Sequence, residues 1–235
     1  MSPTAPLQSE TRILDIAKEA ITIFSTYGLQ SCLMGSAASF LYGVDRTPND
    51  VDLVVLTATY TQEELKRLLV AASSDFYLVN PRSWAATYKV LWHQKGRGGG
   101  VLGHSSYAHR CKVDILVPGV MNIPSVPTAR IERPGLPGLP KLPMMPLVAQ
   151  LFLKLQAWSD HRASSRPHEV PKQYTDARDV DQLLVIVVQR GSAVKKGTGW
   201  MPAEMFEAAR ERVGRYVVHG SPSSRADWRA LGYRV

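Results

Sequence analysis

The chain has 235 residues, 45% hydrophobic and 20% charged, with a formal net charge of +8; this is a globular composition that excludes wholesale disorder. Its longest apolar run, residues 183–188, is far too short to span a membrane. Residues 1–10 lack the basic start and apolar stretch of a signal peptide, and two cysteines, Cys32 and Cys111, cannot build a disulfide framework, so a cytoplasmic setting is expected.

In chain order, Ser9 is placed to cap a helix in which Ile13, Ile16, Ala17, Ala20, Ile21 and Phe24 recur at helical spacing until Tyr27-Gly28. Residues 31–34 read as a short strand, Gly35-Ser36 as a break, and residues 37–42 as a helix closed by Gly43. Arg46-Thr47-Pro48-Asn49 carries turn chemistry, and residues 51–56 are strongly β-prone. Thr61 caps a predicted helix over 62–72, with Glu63 and Glu64 where the helix dipole favours acids. Strands are expected at 76–79, 86–92 and 112–117, with a mobile glycine-rich hairpin over 94–104. Tyr88 and Trp92 should share one strand face, packed in the core. His93, His104 and His109 flank the glycine-rich stretch; their spacing fits no common zinc site, so they read as solvated loop residues.

Residues 118–146 contain 8 of the 16 prolines, which predicts an extended, polyproline-like connection. Helices then follow: one with Leu147, Val148, Leu151, Phe152, Leu155 and Trp158 on its apolar face, and others over 176–188, 202–216 and 224–231. The expected architecture is α+β, with a mixed α/β core over 1–120, a proline-rich connection over 121–146 and a helical cap over 147–235. Charge follows this division. Residues 1–140 hold 13 Lys+Arg against 11 Asp+Glu, and residues 141–235 hold 15 against 9. The basic C-terminal third, with Arg210, Arg212, Arg215, Arg225 and Arg229, points to an anionic partner; a merely soluble basic surface is the plain alternative.

The informative motif is Asn49-Asp50-Val51-Asp52-Leu53. Residues i and i+2 of a strand share a face, so Asp50 and Asp52 present two carboxylates side by side. Such anions repel, and a hard divalent cation removes the conflict. Asp114 sits between Val113 and Ile115 on a later strand. Three convergent carboxylates can hold two metal ions, as phosphoryl and nucleotidyl transfer require. Upstream, glycine at position 35 lets backbone approach a phosphate, while Ser36 and the helix start beyond it offer donors and a positive dipole end.

Leu33-Met34-Gly35-Ser36, Leu41-Tyr42-Gly43, Arg46-Thr47, Asp50-Val51-Asp52-Leu53 and Val113-Asp114-Ile115 together resemble the nucleotidyltransferase superfamily related to DNA polymerase β. The similarity is greatest to its minimal, AbiEii-like and aminoglycoside-type branches. It implies a nucleotidyltransferase-fold core, Asp50, Asp52 and Asp114 as catalytic and metal-binding residues, and two Mg²⁺ ions, with Mn²⁺ as the alternative. It also implies an NTP substrate held by Gly35, Ser36, Arg46 and Lys154, where Lys154 supplies the cap lysine. Asp176-Ala177-Arg178-Asp179 is similar to the family's Lys-Asp segment, but Thr175 stands where the lysine does. Lys172 is the candidate substitute, and Asp179 a candidate to orient Lys154. The expected reaction moves an NMP from NTP to an acceptor hydroxyl and releases pyrophosphate. An RNA 3′ end such as that of tRNA suits the charge better than a polycation. A protein or small-molecule hydroxyl, and a catalytically inactive binding module, are the competing expectations.

Overall fold

The computed structural model describes residues 8–81, 87–96, 110–191 and 198–235. Helix α1 (Gln8–Thr26) presses Ile13, Leu14, Ala17, Ala20 and Phe24 into the core. It begins before Ser9, which therefore lies in the first turn and not at the cap. Five strands follow: β1 (Ser31–Met34), β2 (Asp50–Val55), β3 (Phe76–Val79), β4 (Val90–His93) and β5 (Cys111–Leu116). Their order is β1-β2-β5-β4-β3. Only β2 and β5 run parallel, so the sheet is mixed, as an α+β fold requires.

Between β1 and β2 lies α2 (Gly35–Tyr42), and between β2 and β3 lies α3 (Gln62–Ala72), whose start is fixed by a reciprocal Thr61–Glu64 capping box. β4 starts only at Val90, because the backbone of Lys89 just before it is drawn off by α3. Lys66 Nζ donates to the Lys89 carbonyl (2.7 Å), and the Lys89 amide donates to Glu63 (3.2 Å). Tyr88 is consequently exposed and outside the strand, not packed beside Trp92.

The proline-rich segment has little regular structure, and it also packs: Ile123, Val126, Leu142, Met144 and Met145 are buried in the same core as the sheet. The Leu33 amide donates to the Pro143 carbonyl and the Met145 amide to the Leu33 carbonyl, each at 2.8 Å, which lengthens the sheet past β1. Prolines cannot donate, but the residues between them can, and these apolar residues gain by burial. The chain then enters α4 (Leu147–Ala163), α5 (Lys172–Gln189), α6 (Ala203–Tyr216) and α7 (Ser224–Ala230). The β-branched end of α5 stays helical because Val180, Leu183, Leu184 and Val187 face inward at helical spacing. No described helix is long and apolar enough to cross a membrane.

Candidate active site

Register brings the acids together. β1 sets Met34 opposite Asp52, and the parallel β2–β5 pair sets Asp52 opposite Asp114 and Asp50 opposite Lys112. Asp50, Asp52 and Asp114 each offer an oxygen, and these atoms all lie within 4.8 Å of one another. Lys112, two residues before Asp114 and on the same strand face, donates to Asp114 Oδ2 at 2.6 Å.

The chain leaves β1 through Gly35, which also opens α2; the helix starts there and not two residues later as its sequence suggests. Gly35 has φ +64, and a Cβ built on it would lie 1.9 Å from Asp52 Oδ2. Glycine is demanded twice here, by the backbone angle and by the space Asp52 occupies. Ser36 Oγ donates to Asp50 Oδ1 at 3.0 Å, and the fully buried Gln150 of α4 donates to the Gly35 carbonyl (2.8 Å) and to Ser39 (2.9 Å). The first amides of α2 therefore open beside three carboxylates, on a turn fixed from both sides.

The opposite wall comes from α4 and α5. Lys154, almost fully buried, reaches Asp179 at 2.9 Å and Asp176 at 3.4 Å. Arg46 makes a two-pronged pair with the fully buried Asp179, at 2.9 and 2.5 Å, and so ties the loop before β2 to α5. His161 Nδ1 lies 2.5 Å from Asp176. Lys172 is exposed in the first turn of α5; the cations beside Asp179 are Lys154 and Arg46. Between the walls runs a cleft of about 370 Å³, with Gly35, Asp52 and Asp114 on one side and Leu153, Lys154 and Ala157 on the other. Met121, in the left-handed region (φ 52) like Asn122 (φ 58), also lines it, and Gln156 holds this turn by donating to the Met121 carbonyl (3.0 Å) and accepting from the Asn122 side chain (3.2 Å).

Electrostatically, the two walls oppose each other. Burial, then the charges of Asp50 and Asp114, push Asp52 up to about 7, although Lys154 and Lys112 act the other way. Burial also acts to raise Asp179, but the Arg46 bond and the Lys154 charge outweigh it and hold it below the usual carboxylate range. One wall is thus anionic and under-compensated, and on the other Lys154 and Arg46 share Asp179, with Asp176 as a second partner of Lys154.

Of the residues singled out in the sequence, the structure gathers Gly35, Ser36, Asp50, Asp52, Asp114 and Lys154 around the cleft. Arg46 pairs with Asp179. His104 and His109 lie outside the described residues, whereas His93 is buried on β4, contrary to the loop expectation, because β4 runs through it. Sequence reasoning missed Lys112, Gln150, Gln156 and His161. The i, i+2 spacing could have flagged Lys112; no local signal marks the other three.

With this geometry established, the chain can be set beside solved structures. It superposes on an antigenic nucleotidyltransferase-like protein from Paracoccidioides brasiliensis with a TM-score of 0.66 and 19% identity, over 96% of this chain and 95% of that one. The fold is therefore the nucleotidyltransferase fold. More distant similarities are to ANT(2″)-Ia in complex with adenylyl-2″-tobramycin (TM-score 0.43, 11% identity, 86% of this chain and 98% of that one) and to a protein from H. pylori named as a putative nucleotidyltransferase (0.40, 10%, 97% and 98%). No family model and no curated protein sequence matches the chain.

Proposed function

We propose that the protein is a metal-dependent nucleotidyltransferase that moves an NMP from an NTP to an acceptor hydroxyl. The observation that carries this reading is the convergence of three carboxylates on the start of α2, where Gly35 leaves no room for a side chain. The donor set fits a hard divalent cation: three carboxylates, all oxygen, within one ion's reach of one another, and one of them pushed toward neutrality by burial and by its two carboxylate neighbours. Asp50, Asp52 and Asp114 would hold Mg²⁺, or Mn²⁺, which supplies charge neutralisation at the phosphates and lowers the cost of deprotonating a hydroxyl.

The chain's own residues do the rest. The first amides of α2 would face the phosphates, with the dipole of α2 in their favour, and the Ser36 hydroxyl would join them by turning from Asp50 Oδ1. Lys154 can exchange Asp179 for a phosphate oxygen, because Arg46 stays to compensate Asp179. The acceptor oxygen bonds to the α-phosphorus, the bond from that phosphorus to the bridging oxygen breaks, and pyrophosphate leaves with the electron pair. The acceptor proton passes to Asp114 at Oδ1, since Lys112 occupies Oδ2.

For the acceptor, the exposed Arg210, Arg215, Arg225 and Arg229 favour an anionic RNA end over a polycation. α6 also carries Glu204, Glu207 and Glu211, so this face is mixed, and a protein or small-molecule hydroxyl is the rival outcome. The test is incubation with each labelled NTP, Mg²⁺ and, separately, total RNA, protein extract and small polyols. Label in RNA supports the full reading, and label elsewhere reassigns the acceptor. NTP binding without label in any pool, under conditions where Asp52→Asn still folds, would make the protein a binding module.

A further inference from the structure

On the other face of the sheet lies a second group of metal-type donors that nucleotidyl transfer does not use. Register sets His93 opposite Cys111, and strand alternation puts Cys111 and Asp114 on opposite faces. His93 therefore faces away from the catalytic acids. Around it gather Glu19 from α1 and Asp75 from the turn before β3. One donor atom from each of the three lies within 4.8 Å of the others.

Three features set this group apart from incidental surface acids. His93 is only 4% exposed, and its ring is fixed edge-on against Phe76 with centroids 4.9 Å apart. Its polar atoms have no partner outside the group among the described residues: Nδ1 is buried without a hydrogen bond, and Nε2 is aimed at Glu19 Oε2, 3.2 Å away. The nitrogen that points into the group is Nε2, and its partner there is itself a candidate ligand. The carboxylates are also held from behind. Ser73 Oγ donates to Glu19 Oε1 at 2.8 Å, and the Gly96 amide donates to Asp75 Oδ1 at 2.9 Å. Supporting bonds of this kind orient carboxylate ligands. Among the described residues no lysine or arginine pairs with either acid, so two negative charges stand beside one imidazole.

We propose that Glu19, Asp75 and His93 form a structural site for a borderline divalent transition metal of the Zn²⁺ type, with solvent completing the shell. Two carboxylate oxygens and one imidazole nitrogen match the preference of Zn²⁺ and Co²⁺, whereas the all-oxygen catalytic triad suits Mg²⁺. Nε2 gives up its hydrogen to become the donor, and Nδ1 carries the ring's proton. A bound ion would fasten α1 to the β3–β4 edge of the sheet, at the point where the chain enters the glycine-rich segment.

The experiment titrates the full chain with Co²⁺ in excess Mg²⁺, reading visible absorption for the nitrogen-and-oxygen site and melting temperature for its effect. Wild type and Asp52→Asn should bind one Co²⁺ that Mg²⁺ does not displace, and both should gain melting temperature with Zn²⁺. His93→Gln should bind Co²⁺ at least about tenfold more weakly and gain little. Glu19→Gln, at a half-exposed helix position, should do the same and guards against a folding defect in the His93 variant. Co²⁺ binding unchanged in both variants, or displaced by Mg²⁺, or lost in Asp52→Asn alone, overturns the site.

Discussion

The two walls of the cleft hold their charges in different ways. On the core side the carboxylates are fixed by backbone: strand register sets Asp52 beside Asp114, and Gly35 abuts Asp52 so closely that no atom can be added. On the cap side the cations are fixed only by ion pairs, with Lys154 and Arg46 converging on Asp179. Backbone cannot yield without loss of the sheet, whereas an ion pair can be exchanged for a new partner of the same charge. The acids are built to stay, and Lys154 is free to change partner while Arg46 keeps Asp179 compensated.

The severest way to break the comparison is Gly35→Ala. A methyl group there meets Asp52 and forces a left-handed angle on alanine, so transfer should fall below detection with a loss of about 1–3 kcal/mol of stability, read by thermal melting. Adding Asp52→Ala should return part of that stability and none of the activity; a double variant as unstable as Gly35→Ala would show that the backbone angle alone is responsible.

Next in size is the cap. Asp179→Ala leaves two cations without their shared carboxylate and should cost about 3–5 kcal/mol by denaturant unfolding. Lys154→Ala should weaken NTP binding by about 1–3 kcal/mol while a nucleoside without phosphates binds both proteins alike. Equal loss for nucleoside and nucleotide would mean that the lysine acts through packing.

Asp52 gives a pH signature. Its pKa lies at about 7 in the fold, against 3.8 for an ordinary aspartate, so between those values the folded chain keeps a proton that the unfolded chain has lost. Stability in EDTA should therefore fall as pH rises from about 4 to about 7, and Asp52→Asn should flatten this slope. The smallest effect belongs to the surface. Replacing Arg210 and Arg215 by Gln should flatten the salt dependence of RNA binding by about 0.7 log units per lost phosphate contact. NTP affinity should stay unchanged.

The same division decides what could be read from the sequence. Asp50 and Asp52 are legible because strand periodicity is local, and Asp114 because an acid between Val113 and Ile115 asks for an explanation. Gly35 is legible as a turn. What cannot be read is which side chain meets which across the chain. Arg46 and Asp179 pair across 133 positions, and Gln150 reaches back to Gly35 from a helix whose local pattern is simply apolar. For the proline-rich segment, composition reports the backbone preference, while burial of Met144 and its neighbours decides its place. His93 misleads because glycines from three residues on suggest a loop before β4 has ended. The core, α+β with helices last, follows from the order of periodicities alone.

The parallel pairing of β2 with β5 has a kinetic consequence. Strands β1 and β2 meet early, through a short connection, but Asp114 arrives only after the chain has traversed α3, β3 and β4. Pairing across so long a loop is entropically late. A cation that needs both strands finds no complete site in the unfolded chain, nor in an intermediate lacking β5. An ion held there as proposed would therefore slow unfolding and leave the early folding steps at their own pace. Such an ion would keep the chain folded without hastening its first steps.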